Sequence, residues 1–175
     1  RALMERGLEA GACPEEWNVS HPTEVADIHR SFFAAGSDIV NTNTFGGTAL
    51  RLAAHGLAER AVELNEAGVR LAVGVRDRDY PGRWVAGDMG PCGHMLKPMG
   101  EVEPDALRMT FAEQARALVA GGVDLLNIET MFDLTEATIA VEEAVKAAEG
   151  RPVLVSMAYK PAAKGFRTMM GVDPE

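Results

Sequence analysis

A short segment with the pattern of a buried strand occurs twice in this chain. Residues 34–44 read AAGSDIVNTNT and align without a gap with residues 120–130, which read AGGVDLLNIET. Each copy runs from small residues through an apolar stretch to polar side chains, a pattern typical of a buried parallel strand that follows a helix. The alignment places Asn43 on Glu129, so we predict two strand–helix units that carry different site residues at one equivalent position.

The polar residues of the repeat fall on one face of each predicted strand. Side chains alternate with a period of two, so Asn127 shares a face with Glu129, as Asn41 does with Asn43. Polar side chains on a buried strand are typical of a (β/α)8 barrel, where inward residues at the carboxyl ends line the active site. Helix caps or a solvated sheet edge would explain the same residues without a site, and the repetition favours the site.

Composition narrows the class of protein. The chain has 175 residues, of which 47% are hydrophobic, enough for one core and too few for two ordinary domains. The net charge is -9 and the basic residues are scattered, which argues against nucleic acid or an anionic membrane as a partner. Two cysteines, no signal-peptide pattern and no apolar run of about 20 residues lead us to expect a cytoplasmic protein.

Predicted helices and strands alternate along the chain, which selects a parallel α/β architecture. Strands are predicted at 39–43, 84–88, 123–130 and 152–158, between helices at 1–10, 22–35, 57–75, 105–120 and 134–148. An open doubly wound sheet usually carries a glycine-rich phosphate turn, and the sequence has none. A complete barrel needs about 250 residues, so we predict that residues 1–175 form one partial barrel domain, strands two to five of a (β/α)8 TIM barrel.

Four motifs along the chain point to a family. They are NTNTFG at 41–46, GDMGP at 87–91, IET at 128–130 and GFRTMMG at 165–171. In this order and spacing the chain resembles the homocysteine S-methyltransferase family, which includes the N-terminal module of cobalamin-dependent methionine synthase and the betaine-dependent enzymes. The resemblance implies an S-methyltransferase in which zinc, held by three cysteine thiolates, activates the thiol of homocysteine for methylation to methionine. The methyl donor would be a small molecule or cobalamin on a partner domain.

The resemblance also implies roles for particular residues. Glu129 would bind the amino group of homocysteine, a role that suits a carboxylate because it pairs well with an ammonium group in a partly desolvated site. Asn43 and Thr44 would supply hydrogen bonds and Phe45 an apolar wall, while Asp88 would orient the substrate or the loop behind it. The predicted substrate-binding residues are therefore Glu129, Asn43, Thr44, Phe45, Asp88 and Asn127, and none of them is a metal ligand.

The zinc ligands of the family fall outside this chain. Neither Cys13 nor Cys92 occupies a ligand position, and Cys92 with His94 supplies only two ligands, too few for a catalytic zinc site. Three other functions remain open at this point. The barrel could pass methyl groups between a small substrate and a corrinoid protein, act as an aldolase with Lys160 as Schiff-base nucleophile, or form a half barrel without catalytic activity.

Overall fold

The computed structural model describes residues 1–174, which form a four-stranded parallel sheet with helices between its strands. The strands lie in chain order, β1-β2-β3-β4, as successive strands of a barrel do. A small antiparallel hairpin, β5 and β6, follows the sheet. The strands are β1 (Ile39–Asn41), β2 (Trp84–Met89), β3 (Leu125–Met131), β4 (Val153–Met157), β5 (Lys160–Pro161) and β6 (Phe166–Arg167).

Three long helices, α5, α6 and α7, occur in the connections that follow β1, β2 and β3, respectively. None of the helices in the described residues is long and apolar enough to cross a membrane. Two short 3-10 helices, Ala53–His55 and Ala58–Arg60, precede α5. The α-helices are α1 (Ala2–Glu5), α2 (Trp17–Ser20), α3 (Pro22–Ala34), α4 (Ala49–Leu52), α5 (Ala61–Asp79), α6 (Pro104–Gly121) and α7 (Leu134–Ala147).

The core lies between the sheet and the helices. Leu126 and Ile128 of β3 are fully buried there with Phe111 and Leu118 of α6. Gly87 allows this close packing, because a Cβ atom at that position would lie 3.1 Å from Leu126 and 3.2 Å from Leu118. Burial of these apolar side chains is the main source of folding free energy for the domain.

Helices α3, α6 and α7 begin within one residue of their predicted starts at residues 22, 105 and 134. Pro22 and Pro104 stand in the first turns of α3 and α6, where a missing backbone N–H costs nothing. The Asp133 side chain caps α7 by accepting a hydrogen bond from the Glu136 backbone N–H at 3.0 Å. Asp133 and Glu136 have the spacing of a capping box, but its reciprocal half does not form, because the Glu136 carboxylate accepts a hydrogen bond from the Cys92 backbone N–H in the loop after β2.

The amino-terminal region differs from its prediction. The first helix ends at Glu5 instead of continuing to residue 10, because Gly7 adopts a left-handed conformation with φ 107°. The helical turn α2 lies inside the segment predicted as a loop.

The buried face of α3 is also rotated from the prediction. The apolar stripe of the sequence, Val25, Ile28, Phe32 and Phe33, predicts that Phe32 is buried, but it is 51% exposed. His29, which we expect to be a surface or capping residue, is 4% exposed. The His29 Nε2 atom has no hydrogen-bond partner among the described residues. Burial lowers the pKa of His29 to about 4, so this imidazole is neutral at physiological pH.

Candidate functional site

Four polar side chains meet on the face of the sheet that turns away from the helices. Asn41, Asp88, Asn127 and Glu129 come from three adjacent strands, near their carboxyl ends. Asp88 and Asn127 are direct partners in the register of β2 and β3, and Asn127 Nδ2 lies 3.5 Å from Asp88 Oδ1. Asn41 Nδ2 donates to Glu129 Oε1 at 3.3 Å. Parallel strands thus bring residues distant in sequence into one cluster, which we call the polar cluster.

Asp88 is the most buried member of the polar cluster, at 5% exposure. Burial raises the pKa of its carboxyl to about 8, and the negative charge of Glu129 and a hydrogen bond to that carboxylate act in the same direction. The Asn127 amide opposes the shift in the pKa of Asp88, because a donor favours the ionised carboxylate. At neutral pH the Asp88 carboxyl therefore carries a proton beside Glu129.

Two threonine hydroxyls fix the backbone of Asp88. Thr42 Oγ1 accepts a hydrogen bond from the Asp88 backbone N–H at 3.0 Å, and Thr44 Oγ1 donates to the Asp88 carbonyl oxygen at 2.8 Å. The two hydroxyl oxygens lie 2.6 Å apart, which closes a ring of hydrogen bonds. Thr44 is fully buried, so the structure places this predicted substrate-binding residue in the framework behind Asp88.

Asn43 lies at the same end of the sheet as Glu129, but its side chain points elsewhere. Its amide Nδ2 donates to the Pro14 carbonyl at 2.7 Å and to Asn18 Oδ1 at 2.9 Å. The prediction that Asn43 is equivalent to Glu129 and shares a strand face with Asn41 assumed that β1 extends to residue 43. The strand ends at Asn41, so alternation no longer governs Asn43, and Asn41 contacts Glu129 instead.

Phe45 packs between two loops of the sheet's carboxyl edge. Its carbonyl oxygen accepts a hydrogen bond from Gly90 N at 2.8 Å, and a Cβ atom at Gly90 would lie 2.4 Å from its ring. The Arg51 guanidinium lies 5.2 Å from the ring centroid and donates to the Pro91 carbonyl at 3.0 Å. Gly90 is therefore required for this contact, and Phe45 joins the loops after β1 and β2.

A β-bulge follows the position of Ile128 in β3. Ile128 pairs with Val155, but Met131 pairs with Met157, so Glu129 and Thr130 together oppose a single residue of β4. Thr130 has φ 63°, a left-handed conformation that is unfavourable for a β-branched residue. The bulge allows both Ile128 and Met131 to be fully buried while Glu129 stays half-buried.

Sequence reasoning missed a buried carboxylate below the loop after β2. Glu136 is 1% exposed, and its Oε1 accepts a hydrogen bond from the Cys92 backbone N–H at 2.7 Å. Burial raises the pKa of Glu136. The sequence Asp133-Leu134-Thr135-Glu136 indicates only a capping box for α7, and no local pattern reveals that Glu136 reaches a loop far earlier in the chain.

The described residues do not fit a zinc ion. Burial, reinforced by a neighbouring glutamate, raises the pKa of the Cys13 thiol to about 11 and that of the Cys92 thiol to about 12. Both thiols are thus protonated at neutral pH, and they lie in different apolar clusters. Within residues 1–174 no group of three or more His, Cys, Asp or Glu side chains is placed to hold a metal ion.

Lys160, the proposed Schiff-base nucleophile of the aldolase alternative, lies in the hairpin strand β5. This residue is exposed, and it pairs with Arg167 of β6 in a separate two-stranded sheet. It therefore lies outside the parallel sheet that carries the polar cluster.

Comparisons with known proteins agree with this architecture. The chain is 37% identical over 139 residues to methionine synthase of Mycobacterium tuberculosis (strain ATCC 25618 / H37Rv), a match that covers 78% of the chain and 11% of the relative. Methionine synthase of Mycobacterium leprae (strain TN) is 36% identical over 140 residues, with the same coverage. The chain thus spans about a tenth of the length of these relatives.

Among solved structures, the homocysteine methyltransferase MmuM from Escherichia coli in its metallated form has the same fold, with a TM-score of 0.74 at 23% sequence identity. That match covers 89% of this chain and 59% of MmuM, so the four strands correspond to about half of a methyltransferase barrel. A sequence model of the family described as homocysteine S-methyltransferase matches residues 2–175. The chain belongs to the homocysteine S-methyltransferase family.

Proposed function

We propose that residues 1–175 are the homocysteine-binding part of a (β/α)8 barrel that transfers a methyl group to the homocysteine thiol and gives methionine. Family membership supports the reaction class. The polar cluster supports the position of the substrate, because it lies at the carboxyl ends of the strands, where barrels carry their active sites.

The single observation that carries the proposal is the placement of Glu129. Its carboxylate is half-buried on the open face of the sheet and contacts the Asn41 amide at 3.3 Å. A carboxylate in such a setting pairs strongly with an ammonium group, because the partial loss of solvent strengthens a charge-assisted hydrogen bond. Homocysteine carries an ammonium group at neutral pH, so Glu129 would fix its amino end and leave the sulfur free to react.

The activation of the thiol is assigned to residues beyond this chain. A free thiol has a pKa near 8.5 and is a weak nucleophile at neutral pH, and the described residues do not fit the zinc ion that the family uses. The methyl donor would be a small molecule or cobalamin on a partner domain, the two sources that the resemblance implies. Asp88, Asn127 and the loop containing Asn43, Thr44 and Phe45 would then shape and orient the substrate site around Glu129.

Replacement of Glu129 in the full-length protein tests this assignment. We expect Glu129→Gln to raise the Michaelis constant for homocysteine by about 5- to 150-fold, equivalent to about 1–3 kcal/mol for a lost charge-assisted hydrogen bond. Zinc content and the melting temperature should stay at their wild-type values. The exposed Glu113 of α6 offers a matched control, because Glu113→Gln removes the same charge far from the site. Loss of zinc with an unchanged Michaelis constant would contradict the role.

A further inference from the structure

Asp88 and Glu129 present two carboxyl groups on neighbouring strands of one sheet face, with a hydrogen bond between them. The charged groups that face Asp88 are Glu129 from β3 and Glu15 from the segment before α2, and both are acidic. The other contact of its carboxyl is the Asn127 amide at the long distance of 3.5 Å. Asp88 is thus a buried carboxyl whose charged neighbours are of its own sign.

Two ionised carboxylates cannot share a desolvated position without a compensating positive charge. In the ligand-free protein a single proton on Asp88 removes the repulsion, and the hydrogen bond to Glu129 stabilises that arrangement. An ammonium group placed between the two carboxylates supplies the same positive charge and more hydrogen-bond donors. A bound ammonium group and the Asp88 proton therefore compete for one position.

We infer that Asp88 is a specificity-determining residue that holds a proton in the empty site and releases it when the ammonium group of an amino-acid ligand binds. This inference rests on the proposed function and extends it from Glu129 to the pair. The proton leaves the Asp88 carboxyl for solvent, and the ammonium group takes its place between two carboxylates. The net charge of the site stays at one negative charge before and after binding, so a ligand without a cationic amino group cannot displace the proton.

Calorimetry on the full-length protein tests the exchange. L-homocysteine is titrated into the protein at pH 7 in two buffers of different ionisation enthalpy, which gives the number of protons released. Wild type should release about one proton more than Asp88→Asn, because the amide of the variant has no carboxyl proton to lose. Any proton released by the ligand thiol is the same for both proteins and cancels in the difference. Glu113→Gln should release the same number as wild type. Equal release from wild type and Asp88→Asn would overturn the inference.

Infrared difference spectroscopy gives a second test that does not depend on the affinity of the variant. The ligand-free wild type at pH 7 should show the carbonyl stretch of a protonated carboxyl that is absent from Asp88→Asn, and homocysteine should abolish that band. A band that persists in the complex, or its absence from the free wild type, contradicts proton exchange. If homocysteine binds with no loss of the band, the proposed function stands and only this inference falls. If wild type does not bind homocysteine at all, both the proposed function and the proton exchange at Asp88 are wrong.

Discussion

The two faces of the parallel sheet carry opposite kinds of side chain, although the same strands supply both. On the face toward the helices, Leu126 and Ile128 are fully buried in an apolar core. On the opposite face, Asn127 and Glu129 of the same strand join Asp88 and Asn41 in the polar cluster. Because side chains alternate along a strand, consecutive residues of β3 point in turn to the apolar core and to the polar cluster.

The two faces of the sheet contribute to the stability of the protein with opposite sign. The helix-facing side stabilises the domain through apolar burial. The polar face works against stability, since it includes a buried carboxyl and a strained Thr130 beside Glu129. Substitutions on the first face should therefore destabilise the protein, whereas some substitutions on the second should stabilise it and impair ligand binding.

The largest effect is expected on the apolar face. Leu126→Ala removes a fully buried side chain between β3 and α6 and should lower the free energy of unfolding by about 2–5 kcal/mol. Met109, which is 70% exposed on α6, provides the control, and Met109→Ala should change that free energy by less than about 1 kcal/mol. Urea denaturation of the full-length protein measures both. Similar losses for the two variants would remove the distinction between the faces.

Replacement of Asp88 on the polar face should increase the free energy of unfolding, and the increase should depend on pH. The pKa of Asp88 rises to about 8 in the folded protein, against about 3.9 for an unfolded Asp. Stability from the protonated carboxyl is therefore complete below about pH 4 and is lost as pH rises through 8. The free energy of unfolding of Asp88→Asn should equal that of wild type near pH 4 and exceed it at pH 8, by up to about 5 kcal/mol, as measured by urea denaturation at the two pH values. A stability difference that does not change between these pH values would show that the pKa of Asp88 is not raised in the folded protein.

The smallest effect concerns the bulge beside Glu129. Thr130→Gly relieves an unfavourable left-handed conformation and should stabilise the protein by about 1 kcal/mol. The added backbone freedom should also raise the Michaelis constant for homocysteine about 2- to 5-fold, because Glu129 is held less firmly. Glu149 at the end of α7 is the other non-glycine residue of the described chain with positive φ, at 52°.

Glu149→Gly is thus the matched control for Thr130→Gly. It should give a similar gain in melting temperature with no change in the Michaelis constant, since it lies beyond α7 and away from the polar cluster. If both variants left homocysteine kinetics unchanged, the bulge would have no part in positioning Glu129.

The fold was predictable because its signals are local. Strand parity identified the shared face of Asn127 and Glu129, and the predicted starts of α6 and α7, at residues 105 and 134, lie within one residue of the observed starts. The pairing of β2 with β3 then follows from the parallel α/β pattern, which brings Asp88 opposite Asn127.

The parts of the site that escaped prediction depend on contacts between distant segments. The Asn43 side chain is turned away from Glu129 because it donates hydrogen bonds to Pro14 and Asn18. Asn18 lies in α2, a helical turn of four residues that is too short to be recognised from hydrophobic periodicity. The rotation of α3 that buries His29 is likewise set by packing, since Phe32 and His29 lie on neighbouring faces of one helix. Asn41 aligns with Asn127 in the repeat, but its contact with Glu129 could be predicted only from the order of the strands in the sheet.

The most direct test of the central claim is a crystal structure of the full-length protein with L-homocysteine bound. We expect the amino nitrogen of the ligand to lie within about 2.7–3.2 Å of a Glu129 carboxylate oxygen, on the face of the sheet opposite α6. A complex in which the amino group binds elsewhere, with Glu129 still contacting only Asn41 and Asp88, would contradict the assignment of this face to substrate binding.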